Sequence, residues 1–325
     1  MQAWQVHELG DPIDRLVLGD VDSPEPGPGQ VLVDVDAVGL AFPDVLQCRG
    51  EYQVKPPLPF TPGGETSGRV AALGDGVEGF QMGQRVVAMG GGLAEQVAVS
   101  AGMAFAVPKS LSQAKAAAVP LNYGTTWFAL HNRAGLAEGE TLLVTGASGG
   151  TGSAAIQLGL AAGARVIAVA GGPDKTAACA ALGAHDVIDH PGVGALVEEV
   201  RGLTDGRGVD VAYDPVGGDM FQPVRRCMAG DGRLLVIGFV AGIPEIATNH
   251  VLLKTYSVVG VHWGASLGRD PSSLGRQMAE VMTLAEKGVV DPLLHPPYPF
   301  DEAAQALQDI ADRKVVGKVV VDRTA

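Results

Sequence analysis

The chain has 325 residues, of which 46% are hydrophobic and 18% are charged, and its formal net charge at pH 7 is −13. This length and composition predict one large domain or two smaller ones, each with a packed core. No run of lysine or arginine offsets the acidic balance, so nucleic acid and anionic membrane surfaces would be repelled. We therefore expect neither of them as a partner.

The cysteines and the N-terminal sequence indicate a cellular compartment. Cys48, Cys179 and Cys227 are far apart and form no C-x-x-C motif, so neither a disulfide framework nor a cysteine zinc site is predicted. The N-terminus lacks the cationic and apolar segments of a signal peptide. No run of 18 apolar residues is present to span a membrane. We expect a cytoplasmic protein with reduced thiols.

The first third of the chain is rich in proline and in short β-type runs. Ten prolines fall within residues 1–110, whereas only two fall between residues 121 and 214. Glycine and proline separate the runs, which predicts a compact, irregular β domain. The runs are QVLVDVDAVGL (30–40), SGRVAAL (67–73), QRVVAM (84–89) and AEQVAVS (94–100).

From about residue 121, apolar strands alternate with helix-length segments. This alternation predicts a parallel sheet covered by helices on both faces. Residues 270–288 then read as a helix and 317–322 as a strand. The predicted strands of the sheet are TLLVTG (141–146), RVIAVA (165–170), HDVIDH (185–190), GVDVAYD (208–214), GRLLVIGF (232–239) and SVVGVHW (257–263).

Two glycine clusters could hold a dinucleotide, and their contexts differ. GDGVEG (74–79) fits the pattern G-x-G-x-x-G, but it leads into another strand, and its two acids would repel phosphate. A pyrophosphate site needs a helix N-terminus after the glycines, with free N–H groups and a partial positive charge. We therefore interpret GDGVEG as a turn of the β domain.

The cluster TGASGGTG (145–152) leaves a buried strand and enters a strong helix pattern. Its glycines would permit a tight turn, close backbone approach to a pyrophosphate, and packing of the helix on the strand. The predicted cofactor residues of this cluster are Gly146, Gly149, Gly150, Thr151 and Gly152. The letters also match the cofactor turn of short-chain dehydrogenases, but no tyrosine is followed by lysine four residues later, so that family is rejected.

The end of the second predicted strand indicates which dinucleotide binds. NAD sites usually place an acid there to bind the ribose 2′-OH. This strand ends in Ala170, Gly171 and Gly172, and Lys175 follows. A cation suits a 2′-phosphate, which favours NADPH over NADH. Lys175 could instead be a solvated residue, and Asp174 could serve the helix N-terminus.

Six segments share their order and spacing with a known family: AFPDVLQCRGEYQVKPPLPFTPGGETSGRV, GDGVEGFQMGQRV, GASGGTGSAAIQLG, DVAYDPVGGDMF, GRLLVIGF and GKVVV. Through them essentially the whole chain resembles the medium-chain dehydrogenase/reductase superfamily, in its zinc-free quinone oxidoreductase branch. The resemblance implies an α/β fold with two domains. They are a GroES-like β-barrel domain, residues 1–120 completed by 265–325, and a Rossmann NADP-binding domain with a doubly wound parallel sheet, residues 121–264.

The resemblance also bears on zinc. Zinc alcohol dehydrogenases of this superfamily carry a cysteine in the segment that matches AVGLAFPD, and Gly-His-Glu where this chain has Gly63, Gly64 and Glu65. No cysteine or histidine ligand stands at either place, and the four-cysteine lobe is missing. Since a catalytic zinc needs three protein ligands, no metal site is expected.

The resemblance extends to individual site residues. Tyr52 matches a tyrosine that lies beside the nicotinamide in related reductases, where it either donates a proton or only lines the pocket. Asp44 belongs to the same turn as Phe42 and Pro43, with Ala41 where many relatives have asparagine, and it could equally be a structural carboxylate. The implied cofactor contacts are Phe42, Pro43, Asn122, Tyr123, Thr126, His190, Gly238, Phe239, Val240, Arg313 and Lys318. Helix packing, for Asn122 to Thr126, and plain solvation, for His190, Arg313 and Lys318, are the alternatives.

The function implied by the resemblance is NADPH-dependent reduction of quinones or α,β-unsaturated carbonyls. Without a metal, a conjugated acceptor is easier to reduce than a simple ketone, because charge spreads onto its oxygen. An enoyl-thioester reductase of the same fold, and a non-catalytic NADPH-binding protein of the crystallin kind, remain alternatives. We also expect a homodimer, in which the apolar last strand of the Rossmann sheet pairs with a second subunit.

Overall fold

The computed structural model describes residues 1–190 and 193–324. These residues form two compact units. The first unit comprises Met1–Leu121 together with the chain from Leu274 onward, and the second comprises Asn122–Ser273.

Strands and helices alternate along the chain, and most of the helices come after residue 120. The strands are β1 (Gln2–Val6), β2 (Leu16–Asp20), β3 (Gln30–Leu40), β4 (Glu65–Leu73), β5 (Arg85–Met89), β6 (Gln96–Ser100), β7 (Ala104–Ala106), β8 (Thr141–Val144), β9 (Arg165–Ala170), β10 (Asp186–Asp189), β11 (Val209–Asp214), β12 (Met228–Val236), β13 (Ser257–Gly260), β14 (Tyr298–Pro299) and β15 (Val319–Asp322). The helices are α1 (Pro12–Arg15), α2 (Phe42–Arg49), α3 (Gln113–Ala116), α4 (Pro120–Trp127), α5 (Gly150–Ala161), α6 (Pro173–Ala181), α7 (Val193–Leu203), α8 (Phe221–Cys227), α9 (Thr248–Lys254), α10 (Trp263–Arg269), α11 (Ser272–Glu286) and α12 (Ala303–Ala311).

The first unit is built around a largely antiparallel sheet in the order β14-β15-β3-β4-β5-β7, with β6 also paired to β3. Strand β3 is its centre, because it pairs with β4, β6 and β15. Buried apolar side chains of β1, β3, α2, α12 and β15, among them Val6, Val35, Val45 and Leu307, form one core. Each such burial stabilises the unit by roughly 1.5–3 kcal/mol relative to an exposed side chain.

The second unit is a parallel six-stranded sheet in the order β10-β9-β8-β11-β12-β13. Counted from β8, this is the order 3-2-1-4-5-6 of a doubly wound dinucleotide-binding fold. Its core joins the apolar strands to helices α7 and α8, through Leu143, Ile167, Leu196 and Val224. The predicted fold class is therefore confirmed in both units, and the order reverses between β8 and β11, where such folds bind ligands.

The stretch GDGVEG is the connection between β4 and β5, which are antiparallel neighbours. Gly76 and Gly79 have φ values of 76° and 84°, in the left-handed region that favours glycine. No helix begins at this connection, so the interpretation as a turn of the β domain is confirmed.

Several predicted boundaries are shifted: the strand predicted over 232–239 runs from Met228 to Val236, and the strand predicted over 141–146 ends at Val144. The strand predicted over 257–263 ends at Gly260, and Trp263 instead begins α10. The chain returns to the first unit at Leu274 rather than at 265. The reason is packing: a methyl group placed on Gly124 would lie 2.4 Å from the Trp263 ring, so α10 is held against the second unit.

Candidate functional site

The turn after β8 has the geometry of a phosphate-binding turn. Gly146 has a φ of 54°, and the Gly149 N–H donates to the Gly146 carbonyl oxygen over 3.0 Å, which closes the turn. Helix α5 begins directly afterwards at Gly150 and runs for 12 residues. The turn thus leads from the carboxyl end of a buried strand into a helix long enough to have a substantial macrodipole.

Two glycines of this turn are in close contact with their surroundings. A Cβ on Gly152 would lie 2.2 Å from the Gly146 carbonyl oxygen, and one on Gly150 would lie 2.6 Å from Nδ2 of Asn122. No side chain caps the N-terminus of α5, whose N-cap residue is Gly149. The turn is therefore a backbone cradle with uncapped N–H groups, and these residues fit the pyrophosphate of a dinucleotide.

Helix α4 supplies two predicted residues to this turn. The Asn122 side chain is buried against Gly150. The Thr126 hydroxyl lies 3.4 Å from the carbonyl oxygen of Thr151 and 2.9 Å from the hydroxyl of Tyr213. Tyr123 behaves differently, because its buried hydroxyl donates to Oε1 of Gln157 over 2.8 Å. Its side chain therefore packs helix α4 on helix α5, which fits the alternative of helix packing that the sequence left open for Asn122 to Thr126.

Asp214, at the end of β11, was missed by the sequence reasoning. Its Oδ1 accepts hydrogen bonds from the Thr145 hydroxyl at 2.6 Å, from the Val216 N–H at 3.0 Å and from the Gly217 N–H at 3.2 Å. Burial raises the pKa of this carboxyl above its ordinary value, and the three donors oppose the shift. Asp214 thus ties the end of β8 to the loop after β11. The signal available in the sequence was an acid at the end of a predicted strand, followed three residues later by Gly217 and Gly218.

The residues after β12 lie at the same edge of the sheet, because all six strands are parallel. The Val240 N–H donates to the Pro215 carbonyl oxygen over 3.4 Å, and the Ala241 N–H donates to that of Val216 over 2.8 Å. Gly238 and Phe239 belong to this loop, and the Phe239 side chain is 40% exposed. The structure therefore joins the predicted Gly238–Val240 segment to the loop that Asp214 holds.

The end of β9 is surrounded by charged groups of both signs. Lys175 lies in the first turn of α6, whose N-cap is Gly172 with a φ of 87°. The His190 N–H donates to the Ala170 carbonyl oxygen over 2.9 Å, which extends β10 beside β9. The Asp189 carboxylate accepts a hydrogen bond from the Gly172 N–H at 2.8 Å. An acid therefore stands at the strand end where the sequence indicated none, since it comes from the neighbouring strand.

In the first unit, Phe42 and Pro43 open helix α2, and Asp44 organises the turn before it. The Asp44 carboxylate accepts from the Ala41 N–H at 2.7 Å and from the Gly63 N–H at 3.1 Å. Burial raises its pKa above the ordinary value, and these hydrogen bonds and Lys318 oppose the shift. Asp44 is thus a structural carboxylate that ties two loops together.

Tyr52 lies after α2 with its ring partly buried. Burial, and then the negative charge of Asp44, raise the pKa of its phenol above the ordinary value. Both causes favour the protonated form, because each penalises a phenolate. The hydroxyl therefore stays protonated throughout the neutral range, as a proton donor requires.

The C-terminal cations differ from each other. Arg313 is exposed just after α12, with a φ of 58°. Lys318 is only 3% exposed and forms an ion pair with the fully buried Glu65, whose other oxygen accepts from the Leu121 N–H at 2.8 Å. The structure thus argues against Lys318 as a phosphate contact, because its charge is buried and already neutralised by Glu65.

The described residues also bear on metals and membranes. Within residues 1–190 and 193–324, no three or more histidine, cysteine, aspartate or glutamate side chains are grouped so that they could hold a metal ion. Over the same part of the chain, every helix is too short or too polar to cross a bilayer. Glu65, which follows Gly63 and Gly64, has its carboxylate engaged by Lys318.

Comparisons with known proteins agree on one family. Residues 27–109 match the family model "Alcohol dehydrogenase GroES-like domain", and residues 150–283 match "Zinc-binding dehydrogenase". A quinone oxidoreductase-like protein 2 homolog of Nematostella vectensis is 37% identical over 99% of this chain and 88% of its own length. A probable oxidoreductase of Mycobacterium abscessus is 40% identical with a TM-score of 0.91, covering 99% of this chain and 98% of its own. The quinone oxidoreductase of Thermus thermophilus, whose structure is also known in complex with NADPH, is 33% identical with a TM-score of 0.82, covering 99% and 100%.

Proposed function

Because the chain belongs to the quinone oxidoreductase branch of the medium-chain dehydrogenase/reductase superfamily, it is an oxidoreductase, and we propose that it uses NADPH to reduce quinones or α,β-unsaturated carbonyls. The observation that carries the proposal is the glycine turn between β8 and α5. A Cβ on Gly152 would lie 2.2 Å from the Gly146 carbonyl oxygen, and no side chain caps the helix that the turn leads into.

The chain's own groups would divide the binding of NADPH among them. The N–H groups of Gly150, Thr151 and Gly152 would hold the pyrophosphate, and Lys175 and His190 the 2′-phosphate. The loop Gly238–Val240 would line the nicotinamide, since ligands of such folds lie at the carboxyl ends of the strands. Bound NADPH supplies a hydride, and the protein's task is to orient it toward the acceptor and to exclude water.

Tyr52 would complete the reaction by donating its phenolic proton to the acceptor oxygen, on which negative charge develops as hydride arrives at carbon. The transfer would leave a phenolate, which solvent would reprotonate. Burial and the charge of Asp44 disfavour that phenolate, so the return of the proton would be favourable. Phe42 and Pro43, in the turn that Asp44 fixes, would orient the cofactor from the same unit. Arg313, an exposed cation, remains a proposed phosphate contact.

The proposed reaction is independent of zinc. Three protein ligands are the usual minimum for a catalytic zinc. The segment Gly63–Gly64–Glu65 offers no histidine, and its carboxylate is neutralised by Lys318. Electrostatic stabilisation of the acceptor oxygen would therefore come from hydrogen-bond donors such as Tyr52.

We further propose a cytoplasmic homodimer. The three cysteines are free thiols buried in the two units, which fits a reducing compartment. Strand β13 ends the parallel sheet and exposes Val258. The preceding helix α9 exposes Leu252 and Leu253, and an apolar sheet edge of this kind is stabilised by pairing with a second copy.

The proposal is tested by following the oxidation of NADPH with three acceptors: 1,4-benzoquinone, 9,10-phenanthrenequinone and crotonyl-CoA. We expect turnover with at least one of the two quinones. Turnover with crotonyl-CoA alone would assign an enoyl-thioester reductase instead. Tight NADPH binding without turnover on any acceptor would leave a non-catalytic nucleotide-binding protein, and activity that is lost on chelation and restored by Zn²⁺ would overturn the zinc-free mechanism.

A further inference from the structure

The Asp189 carboxylate lies beside the end of β9, the strand end at which NAD-binding folds carry an acid. In those folds an acid at the end of the second strand binds the ribose 2′-OH. Here the second strand, β9, ends without an acid at Ala170. Strand β10 pairs with it so that Asp189 stands directly beside Ala170, and the Asp189 carboxylate crosses to the Gly172 N–H at 2.8 Å. The third strand therefore supplies the acid that the second lacks.

One hydrogen bond holds this exposed carboxylate beside the end of β9. Gly172 is the N-cap of α6 and has a φ of 87°. Within residues 1–190 and 193–324, and apart from the adjoining residues of the chain, no atom lies within 4 Å of where a Cβ on Gly171 or Gly172 would stand. The space beside the strand end is thus open, and Asp189 borders it. A negative charge held there opposes a 2′-phosphate, whereas it can accept a hydrogen bond from a 2′-hydroxyl.

Lys175 acts in the opposite direction on the same phosphate. It lies in the first turn of α6, three residues after the N-cap that Asp189 contacts. Asp174 stands between them in sequence and His190 follows Asp189, so the groups at this strand end include two acids, one lysine and one histidine. A site selective for a 2′-phosphate usually presents a cationic surplus there, and this one does not.

We propose that Asp189 sets the choice between the two nicotinamide dinucleotides, by disfavouring the 2′-phosphate and accepting the 2′-hydroxyl, so that the enzyme uses NADH as well as NADPH. The inference rests on the proposed function, because it concerns the same dinucleotide site. It makes Asp189 a specificity-determining residue that the strand pairing places, and not the local sequence of β9.

The test uses two fragments that share the adenosine half of the cofactor, 5′-AMP and adenosine 2′,5′-bisphosphate, with binding measured by calorimetry on the full chain. Asp189→Asn keeps an acceptor for the Gly172 N–H but removes the charge. We expect this substitution to lower the Kd for the bisphosphate about tenfold and to change the Kd for 5′-AMP by less than about twofold. Lys175→Ala is expected to weaken the bisphosphate alone.

Asp205→Asn is the matched control. Asp205 is an exposed acid of the same unit. It lies in the connection that enters β11, at the amino-terminal ends of the parallel strands, and asparagine tolerates its φ of 51°. We expect Asp205→Asn to leave the Kd for both fragments unchanged. An affinity ratio that Asp189→Asn leaves unchanged, or that Asp205→Asn shifts equally, overturns the inference and leaves the dinucleotide site standing. Failure of both fragments to bind the unaltered chain would overturn the site and the inference together.

Discussion

Asp44, Glu65 and Asp214 are almost completely buried, yet the proposed reaction uses none of them as a proton carrier. A buried carboxylate is costly unless hydrogen bonds or an opposite charge compensate it. Asp44 and Asp214 each accept from two backbone N–H groups, and Glu65 is paired with Lys318. Their role is to fix loops whose own sequences, rich in glycine and proline, would not settle on one conformation. Within the first unit, the proposal assigns the proton transfer to Tyr52.

Tyr52→Phe tests that assignment. We expect the kcat for an enone to fall about 100-fold, because the acceptor oxygen loses its proton donor, while the Kd for NADPH stays within about twofold. In the unaltered enzyme the raised pKa of the phenol keeps it protonated, so the rate should not decline until the pH passes above the ordinary tyrosine value of about 10. Steady-state kinetics and a pH–rate profile measure both.

Tyr298→Phe is the control for this substitution. Tyr298 is a phenol of the same unit, and its hydroxyl donates to Asp309 over 2.8 Å. Its loss is expected to lower stability slightly and to leave kcat unchanged. If Tyr52→Phe changes only the KM for the acceptor, Tyr52 lines the pocket and does not donate the proton.

At the level of elements, the turn between β8 and α5 depends on Gly152. In Gly152→Ala the new methyl group would meet the Gly146 carbonyl oxygen at 2.2 Å, and backbone atoms cannot yield as a side chain can. We expect a loss of about 1–3 kcal/mol in the free energy of unfolding. We also expect the Kd for NADPH to rise strongly. Denaturant titration and calorimetry measure the two effects.

Gly202→Ala provides the comparison. Gly202 lies inside α7 of the same unit and is exposed. In the described part of the chain, no atom other than those of its chain neighbours and its own helix backbone lies within 4 Å of the place that a Cβ would take. Alanine should stabilise this helix by roughly 0.5–1 kcal/mol and leave nucleotide binding unchanged. Two substitutions of identical chemistry should therefore act in opposite directions, and equal effects would contradict a specific steric role for Gly152.

Elements were predictable from the sequence where their cause is local. The glycine turn follows from a strand, a turn and a helix in succession, and the rejection of GDGVEG follows from the strand after it. Contacts between distant residues were not predictable. Asp189 reaches Gly172 across 17 residues and Lys318 reaches Glu65 across 253, and nothing in either local sequence indicates the partner. The same limit explains the strand predicted over 257–263, which Trp263 ends by packing on Gly124.

At the scale of the whole molecule, the open edge of the parallel sheet is the feature that a single chain leaves unresolved. Strand β13 pairs with β12 on one side, and no strand in the described part of the chain pairs with its other side. A net charge of −13 keeps copies apart at long range. Association therefore requires a local apolar contact, and Val258 on β13 with Leu252 and Leu253 on α9 offers one.

Val258→Lys tests the proposed dimer. A lysine on this edge would bring two like charges together across a two-fold axis and would remove apolar area from the contact. We expect the unaltered chain to elute with twice the 33.3 kDa mass of one copy, and the variant to shift toward the monomer, in size-exclusion chromatography with light scattering. Val289→Lys is the matched control, because Val289 is 37% exposed against 39% for Val258 but belongs to the first unit. A monomeric unaltered chain would overturn the proposed dimer. A dimer that survives Val258→Lys and dissociates with Val289→Lys would place the contact away from β13.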